Sequence, residues 1–295
     1  MPRLGPARVR DASPMNPSPA DGTTEGEAKA MSVLDRLRLD GKVALVTGGG
    51  TGLGQAMALA MADAGADIAV SGRRLDPLQE TKQLVEGKGR RCFIVQADAT
   101  STEDVKRMIA ETIAALGHID VLVNNAGGGG AGRGKTMIEL TDEDWHAGID
   151  GNLTSTFVCS REITPHYLER GGGCVINITS GWGYRGGRNN FMYSIAKGGV
   201  IQLTKTYAMT YAREGIRATC IAPGAIPHFV EPGPPSARSD AQTAGRLGVT
   251  YEIGPLAVFL ASDAASYMSG ETVLIDGGAI AAGVLPAGLV PSAEG

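Results

Sequence analysis

The sequence predicts an α/β domain, a doubly wound sheet of seven parallel strands flanked by helices, and three observations point there. Short β-branched runs alternate with longer segments of helical spacing. Most of these runs are apolar on both faces, as strands covered by helices on both sides must be. Finally, 43 of the 295 residues are glycine with no Gly-X-Y period, so glycine works locally, in turns and at backbone contacts.

Residues 1–30 are rich in Pro, Ala, Gly and small polar residues and lack aliphatic periodicity, so they are expected to be disordered. The folded domain is expected over 31–283, with a tail at 284–295. Its strands read KVALVT (42–47), DIAVSG (67–72), CFIVQAD (92–98), DVLVNNAG (120–127), CVINITS (174–180), RATCIAPG (217–224) and TVLIDGG (272–278). Helical spacing runs through 53–66, 101–117, 142–169 and 189–215 among others. In such a sheet, ligands bind outside the carboxyl ends of the strands.

With 27 basic against 31 acidic residues the net charge is −4, which gives no global field for nucleic acid or an anionic membrane. Cys92, Cys159, Cys174 and Cys220 stand singly, three of them in apolar runs and without metal-ligand spacing, and read as buried reduced thiols. No metal site is expected. No apolar run reaches the roughly 18 residues of a membrane span, and the first thirty residues lack a signal-peptide core. A soluble, cytoplasmic protein is the expectation.

Two glycine-rich motifs compete for a phosphate. TGGGTGLG, Thr47 to Gly54, lies between the first strand and the first long helix, where a tight turn and a helix N-terminus suit a pyrophosphate. GGAGRGKT, Gly129 to Thr136, matches the P-loop pattern letter for letter and would put Lys135 on phosphates in an NTPase, a reading of another class. Its context opposes it. MIELT follows where a P-loop needs a helix, and the next helix start is the Thr141/Asp142 cap. The run Gly128–Gly134 is left without a role.

TGGGTGLG, NNAG at 124–127, Ser180, YSIAK at 193–197 and Pro223–Gly224 occur in this order over about residues 36–281, and together they resemble the short-chain dehydrogenases/reductases. The general pattern is nearest to the 3-oxoacyl-carrier-protein reductases. The resemblance implies a Rossmann-like fold, a homotetramer, a small carbonyl or alcohol substrate, and reversible hydride transfer between a nicotinamide cofactor and that substrate. A 3-oxoacyl thioester is favoured, with sugar, polyol or steroid substrates as alternatives. Tyr193 is implied as acid/base, Lys197 as the residue that holds the nicotinamide ribose and lowers the Tyr193 pKa, Ser180 as the donor to the carbonyl oxygen, and Asn152 as the holder of a relay water. The residues themselves agree in part: Tyr193 and Lys197, four apart on a helix, share a face. A phenol of pKa about 10 needs a nearby cation to act at neutral pH.

For the cofactor the resemblance implies Gly48, Thr51, Gly52, Leu53 and Gly54 at the turn, Asp98 and Ala99 at the adenine, and Asn124, Ala126 and Gly127 along the adenosine. Pro223, Gly224 and Ile226 fall at the nicotinamide. Coenzyme choice turns on the end of the second strand, where an NAD site would carry an acid about twenty residues after the turn. Gly72, Arg73 and Arg74 stand there, and two guanidinium groups favour a 2′-phosphate, so NADP(H) is expected over NAD(H). Where the family has a Thr beyond Pro–Gly, this chain has His228, at the start of a Pro-rich stretch that resembles a substrate lid. Trp182, Tyr184 and Arg188 are expected to line the substrate pocket.

Overall fold

The computed structural model describes residues 32–227, 236, 239 and 242–281; His228 and most of the lid-like stretch lie outside them. In chain order the main elements are α1 (Val33–Arg36), β1 (Val43–Thr47), α2 (Gly52–Asp63), β2 (Asp67–Gly72), α3 (Leu75–Glu86), β3 (Cys92–Gln96), α4 (Thr102–Leu116) and β4 (Val121–Asn124). Then come α5 (Asp142–Ile149), α6 (Ser155–Arg170), β5 (Gly173–Ile178), α7 (Phe191–Tyr211), β6 (Ile216–Pro223), α8 (Ile253–Ala261) and β7 (Thr272–Ile275). The seven strands form one sheet in the order β3-β2-β1-β4-β5-β6-β7, every pair parallel.

β1 shows why both faces must be apolar. Ala44 and Val46 enter one core with Met57, Met61, Ile176 and Leu260, while Val43 and Leu45 enter the other with Met108, Ile163, Tyr167 and Val175. Central strands β1 and β4 are buried at every residue, whereas the edge strands β3 and β7 are partly open. That is the pattern of a sheet covered on both faces.

The strand order reverses between β1 and β4, which opens a crevice beyond Thr47 and Asn124. The chain is stitched there. Thr47 Oγ1 accepts the N–H groups of Asn125 and Ala126, each at 3.0 Å, and Asn125 Nδ2 donates to the carbonyls of Thr47 at 3.0 Å and Gly48 at 3.1 Å.

Most strands and helices end a few residues short of the sequence reading, and two of the differences shape the cleft. The segment 142–169 is not one helix: α5 and α6 are separated by a π-helical turn at Asp150–Thr154, where hydroxyls of Ser155 and Thr156 bond back to the carbonyls of Gly151 and Asn152. An extra residue in a turn of this kind re-aims one side chain, and such turns recur at functional sites. β4 ends at Asn124 rather than at residue 127, because the following residues leave the ladder to close the crevice.

Candidate active site

The glycine turn is shaped by contact. Gly48 has φ +64°, and a Cβ at Gly54 would stand 2.3 Å from the Gly48 carbonyl oxygen, so a side chain there would drive α2 off the turn. Thr51, the residue before α2, makes no side-chain capping bond, and no acid occupies the first helical turn. The first N–H groups of α2 therefore face the crevice free for an anion.

From this turn a cleft of about 1150 Å³ runs along the strand ends. Arg73 and Arg74 stand at one end, Tyr193 and Lys197 at the other. Gly48, Thr51, Leu53, Asp98, Ala99, Ala126, Gly127, Asn152, Pro223, Gly224 and Ile226 line it as well. Gly52 and Gly54 shape the turn from behind.

Asn124 does not reach the cleft. As the last residue of β4 its side chain points into the core, where Nδ2 donates to Ser160 Oγ at 3.0 Å and Asn177 Oδ1 at 2.8 Å. Alternation along a strand sends its neighbour the other way, so Asn125, which the sequence reading passed over, lines the cleft and ties it to the glycine turn. The Asp98 carboxylate accepts both the N–H and the hydroxyl of Thr100, which fixes it at the rim.

Asn152, on the π turn, spends its side chain on the glycine strip. Its Oδ1 accepts from Gly128 N at 3.1 Å and its Nδ2 donates to the carbonyls of Gly128 and Gly148, both at 3.0 Å. The side chain thus positions the loop after β4.

Tyr193 and Lys197 project from the first turns of α7, and Ser180 follows β5. Ser180 Oγ accepts from Trp182 N at 3.2 Å, which leaves its O–H free to donate. The Lys197 ammonium is buried, donates to the Ile178 carbonyl at 2.9 Å and lies 5.6 Å from the centre of the Tyr193 ring. Burial pushes its pKa down to about 8. For Tyr193 the outcome differs from expectation: burial raises the phenol above its ordinary value, and only the Ser180 hydroxyl opposes it. Lys197 spends one of its three N–H donors on that backbone carbonyl.

Ser180 and Tyr193 also line a second cavity of about 730 Å³, which Trp182 and Arg188 share. They stand where the two hollows join. Tyr184 is absent from this wall; its hydroxyl points toward the Thr272 carbonyl, 3.5 Å away. The P-loop-like run is committed elsewhere: Lys135 pairs with Asp144 at 2.6 Å and Thr136 caps a single 3₁₀ turn with Glu139, so neither is presented to a phosphate. All four cysteines are free and buried, with burial pushing Cys92 and Cys159 up to about 12 and Cys220 to about 11. They are poor nucleophiles.

A family model described as enoyl-(acyl carrier protein) reductase matches residues 48–279. A 3-oxoacyl-[acyl-carrier-protein] reductase of Thermotoga maritima is 34% identical over 251 residues, 83% of this chain and 100% of that protein. The chain is a short-chain dehydrogenase/reductase. A 2-dehydro-3-deoxy-D-gluconate 5-dehydrogenase of Escherichia coli is 36% identical over 260 residues, covering 84% of this chain and 99% of its own. Among solved structures, a gluconate 5-dehydrogenase from Burkholderia cenocepacia in complex with NADP and tartrate superposes with a TM-score of 0.77 at 32% identity, over 85% of this chain and 99% of that one. As a short-chain dehydrogenase/reductase it is an NAD(P)-dependent oxidoreductase that acts on CH–OH and ketone carbons. Among the described residues no helix is long and apolar enough to cross a membrane.

Proposed function

We propose that the chain is an NADP(H)-preferring oxidoreductase that interconverts a ketone and a secondary alcohol with Tyr193 as acid/base. One observation carries this reading: Ser180 and Tyr193 face both the long glycine-turned cleft and the second cavity, so a dinucleotide in one and a substrate in the other would meet at these two hydroxyls. The cleft suits the cofactor. Its turn excludes a Cβ at Gly54, its helix N-terminus is uncapped, and its far end carries two arginines.

When bound, the nicotinamide supplies or accepts the hydride. Ser180, whose oxygen accepts from Trp182 N–H, donates its O–H to the substrate oxygen where negative charge develops. Tyr193 gives that oxygen its proton in reduction and removes it in oxidation. Its raised pKa keeps the phenol protonated in the empty site, the form that reduction needs. Lys197 holds the ribose end of the cleft and adds positive charge behind Tyr193. Asn152 keeps the Gly127–Gly128 backbone at the cleft wall.

The NADP(H) preference rests on Arg73 and Arg74 at the cleft's far end with Gly72 between them and the turn. An acidic side chain would fit at Gly72: a Cβ there meets only Leu78 Cδ2, at 3.6 Å. Gly72→Asp should therefore lower the kcat/KM ratio of NADPH to NADH by roughly 10- to 100-fold, the worth of one charged hydrogen-bonding contact. A wild-type enzyme equally efficient with NADH, or a variant with an unmoved ratio, would contradict the assignment. For the substrate, the similarity to both 3-oxoacyl and sugar-acid enzymes supports a functionalised ketone.

A further inference from the structure

We propose that the ketone or alcohol substrate carries a carboxylate of its own, held in the second cavity by Arg133, Arg185 and Arg188. The inference rests on the acid/base reading of Tyr193 and extends it to the substrate's charge. The three guanidinium groups line the same cavity as Ser180 and Tyr193. None of them is in an ion pair among the described residues, whereas Arg107, Arg161, Arg170 and Arg246 are. Asp276 supplies the cavity's carboxylate among those residues, and it is consumed in its own turn, accepting from Gly278 N at 2.9 Å and Ile280 N at 2.8 Å. The wall therefore carries three guanidinium groups against one carboxylate, and that carboxylate is turned to its own backbone rather than paired with any of them.

The arginines are delivered by built loops. Arg133 comes from the glycine run after β4, the other two from the loop before α7. These loops are joined by Gly134 N donating to the Asn189 carbonyl at 2.8 Å and by Asn189 Nδ2 donating to the Gly134 carbonyl at 3.2 Å. Asn189 holds φ +53°, the left-handed region entered by no other non-glycine residue among those described. Arg185 is laid over the Trp182 ring, 4.8 Å from its centre. A guanidinium fork matches a carboxylate in geometry as well as in charge, and a hollow lined by one sign raises the local concentration of the other. Because the arginines and the two reactive hydroxyls share one cavity of about 730 Å³, the anion belongs to the small molecule that reacts and not to a distant carrier arm. The glycine run thus acquires a role, since it carries Arg133 to the substrate and lays Gly129 against the Tyr193 ring, where a Cβ would come within 3.7 Å.

Two probes of the same carbon length separate charge from shape: D-gluconate, and D-glucitol with CH₂OH in place of the carboxylate. Binding of each to the full-length protein saturated with NADP⁺ is measured by calorimetry, with acetoacetyl-coenzyme A as a third arm. Gluconate is expected to bind at least about tenfold more tightly than glucitol, and the double variant Arg185→Gln/Arg188→Gln to erase that margin. Equal binding of the two probes, no binding of either, or a margin that survives the double variant overturns the proposal. Loss of affinity confined to acetoacetyl-coenzyme A overturns it too, since the anion would then be a carrier phosphate. The two readings fail separately: turnover retained by Tyr193→Phe strikes the acid/base role, while loss of the gluconate margin strikes only the carboxylate.

Discussion

Tyr193→Phe is expected to reduce kcat/KM for ketone reduction by roughly 10²- to 10⁴-fold, the range that a positioned general acid supplies, while the protein stays folded. The change removes one oxygen. The phenol makes no backbone hydrogen bond among the described residues, and its ring remains packed beneath Lys197 and beside Gly129. Tm should accordingly move by no more than about 3 °C, the effect of roughly 1 kcal/mol on a domain of this size. The test reads initial rates of NADPH consumption across a panel of ketones together with thermal unfolding. Because burial holds the phenol above its ordinary pKa, the sign of the pH dependence also follows. Oxidation, which needs the phenolate, should accelerate as pH rises, whereas reduction should hold its rate until the phenol begins to ionise. Full activity in the variant would remove Tyr193 from the chemistry.

Lys197→Met should cost at least about 100-fold in kcat/KM and yet leave the protein no less stable at pH 7. Burial lowers the Lys197 pKa from 10.5 to about 8, so the folded protein keeps its charge at neutral pH at a cost of about 3 kcal/mol. Against this stands the hydrogen bond to the Ile178 carbonyl, which the variant leaves unpaired at a cost of about 1–3 kcal/mol. The pH dependence separates the two. Between pH 8 and 10.5 the unfolded chain still binds the lysine proton and the folded one has released it, so wild-type stability rises with pH in that window. Methionine has no such dependence. Urea unfolding at pH 7 and at pH 9.5 should find the variant equal or ahead at the first and behind at the second. A gap that does not change with pH would show that Lys197 is not a buried cation. A site residue that is costly to bury is retained for function rather than for the fold.

Much of the site was legible in the sequence because its features are local. Tyr193 and Lys197 lie one helical turn apart, so their shared face follows from spacing alone. The glycine turn between β1 and α2 is equally local, and the arginines after β2 sit beside a cleft that any parallel sheet of this order must open at its reversal. Helix α3 carries a weaker periodic signal, since only Leu78, Thr81 and Val85 are buried on its face and one of these is polar. Asn124 was misplaced by a single residue at a strand end, where alternation sends neighbours to opposite faces and the boundary is set by Thr47 on another strand.

Sequence periodicity, then, located the strands and most of the helices, the glycine turn and the Tyr–Lys pair, because each is decided by residues within a few positions of one another, whereas the break at Asp150–Thr154 was not visible in it. Only the packed molecule decided that Asn125 rather than Asn124 faces the cleft, that Asn152 clamps the strip after β4, that Lys197 donates a hydrogen bond to a backbone carbonyl, and that the best phosphate-loop match in the chain is a scaffold for Arg133. Each of these rests on burial or on hydrogen bonds between segments far apart in the chain, such as Asn152 with Gly128 or Asn189 with Gly134. Such contacts leave no period to read, and they form only once the sheet has brought the loops to one edge.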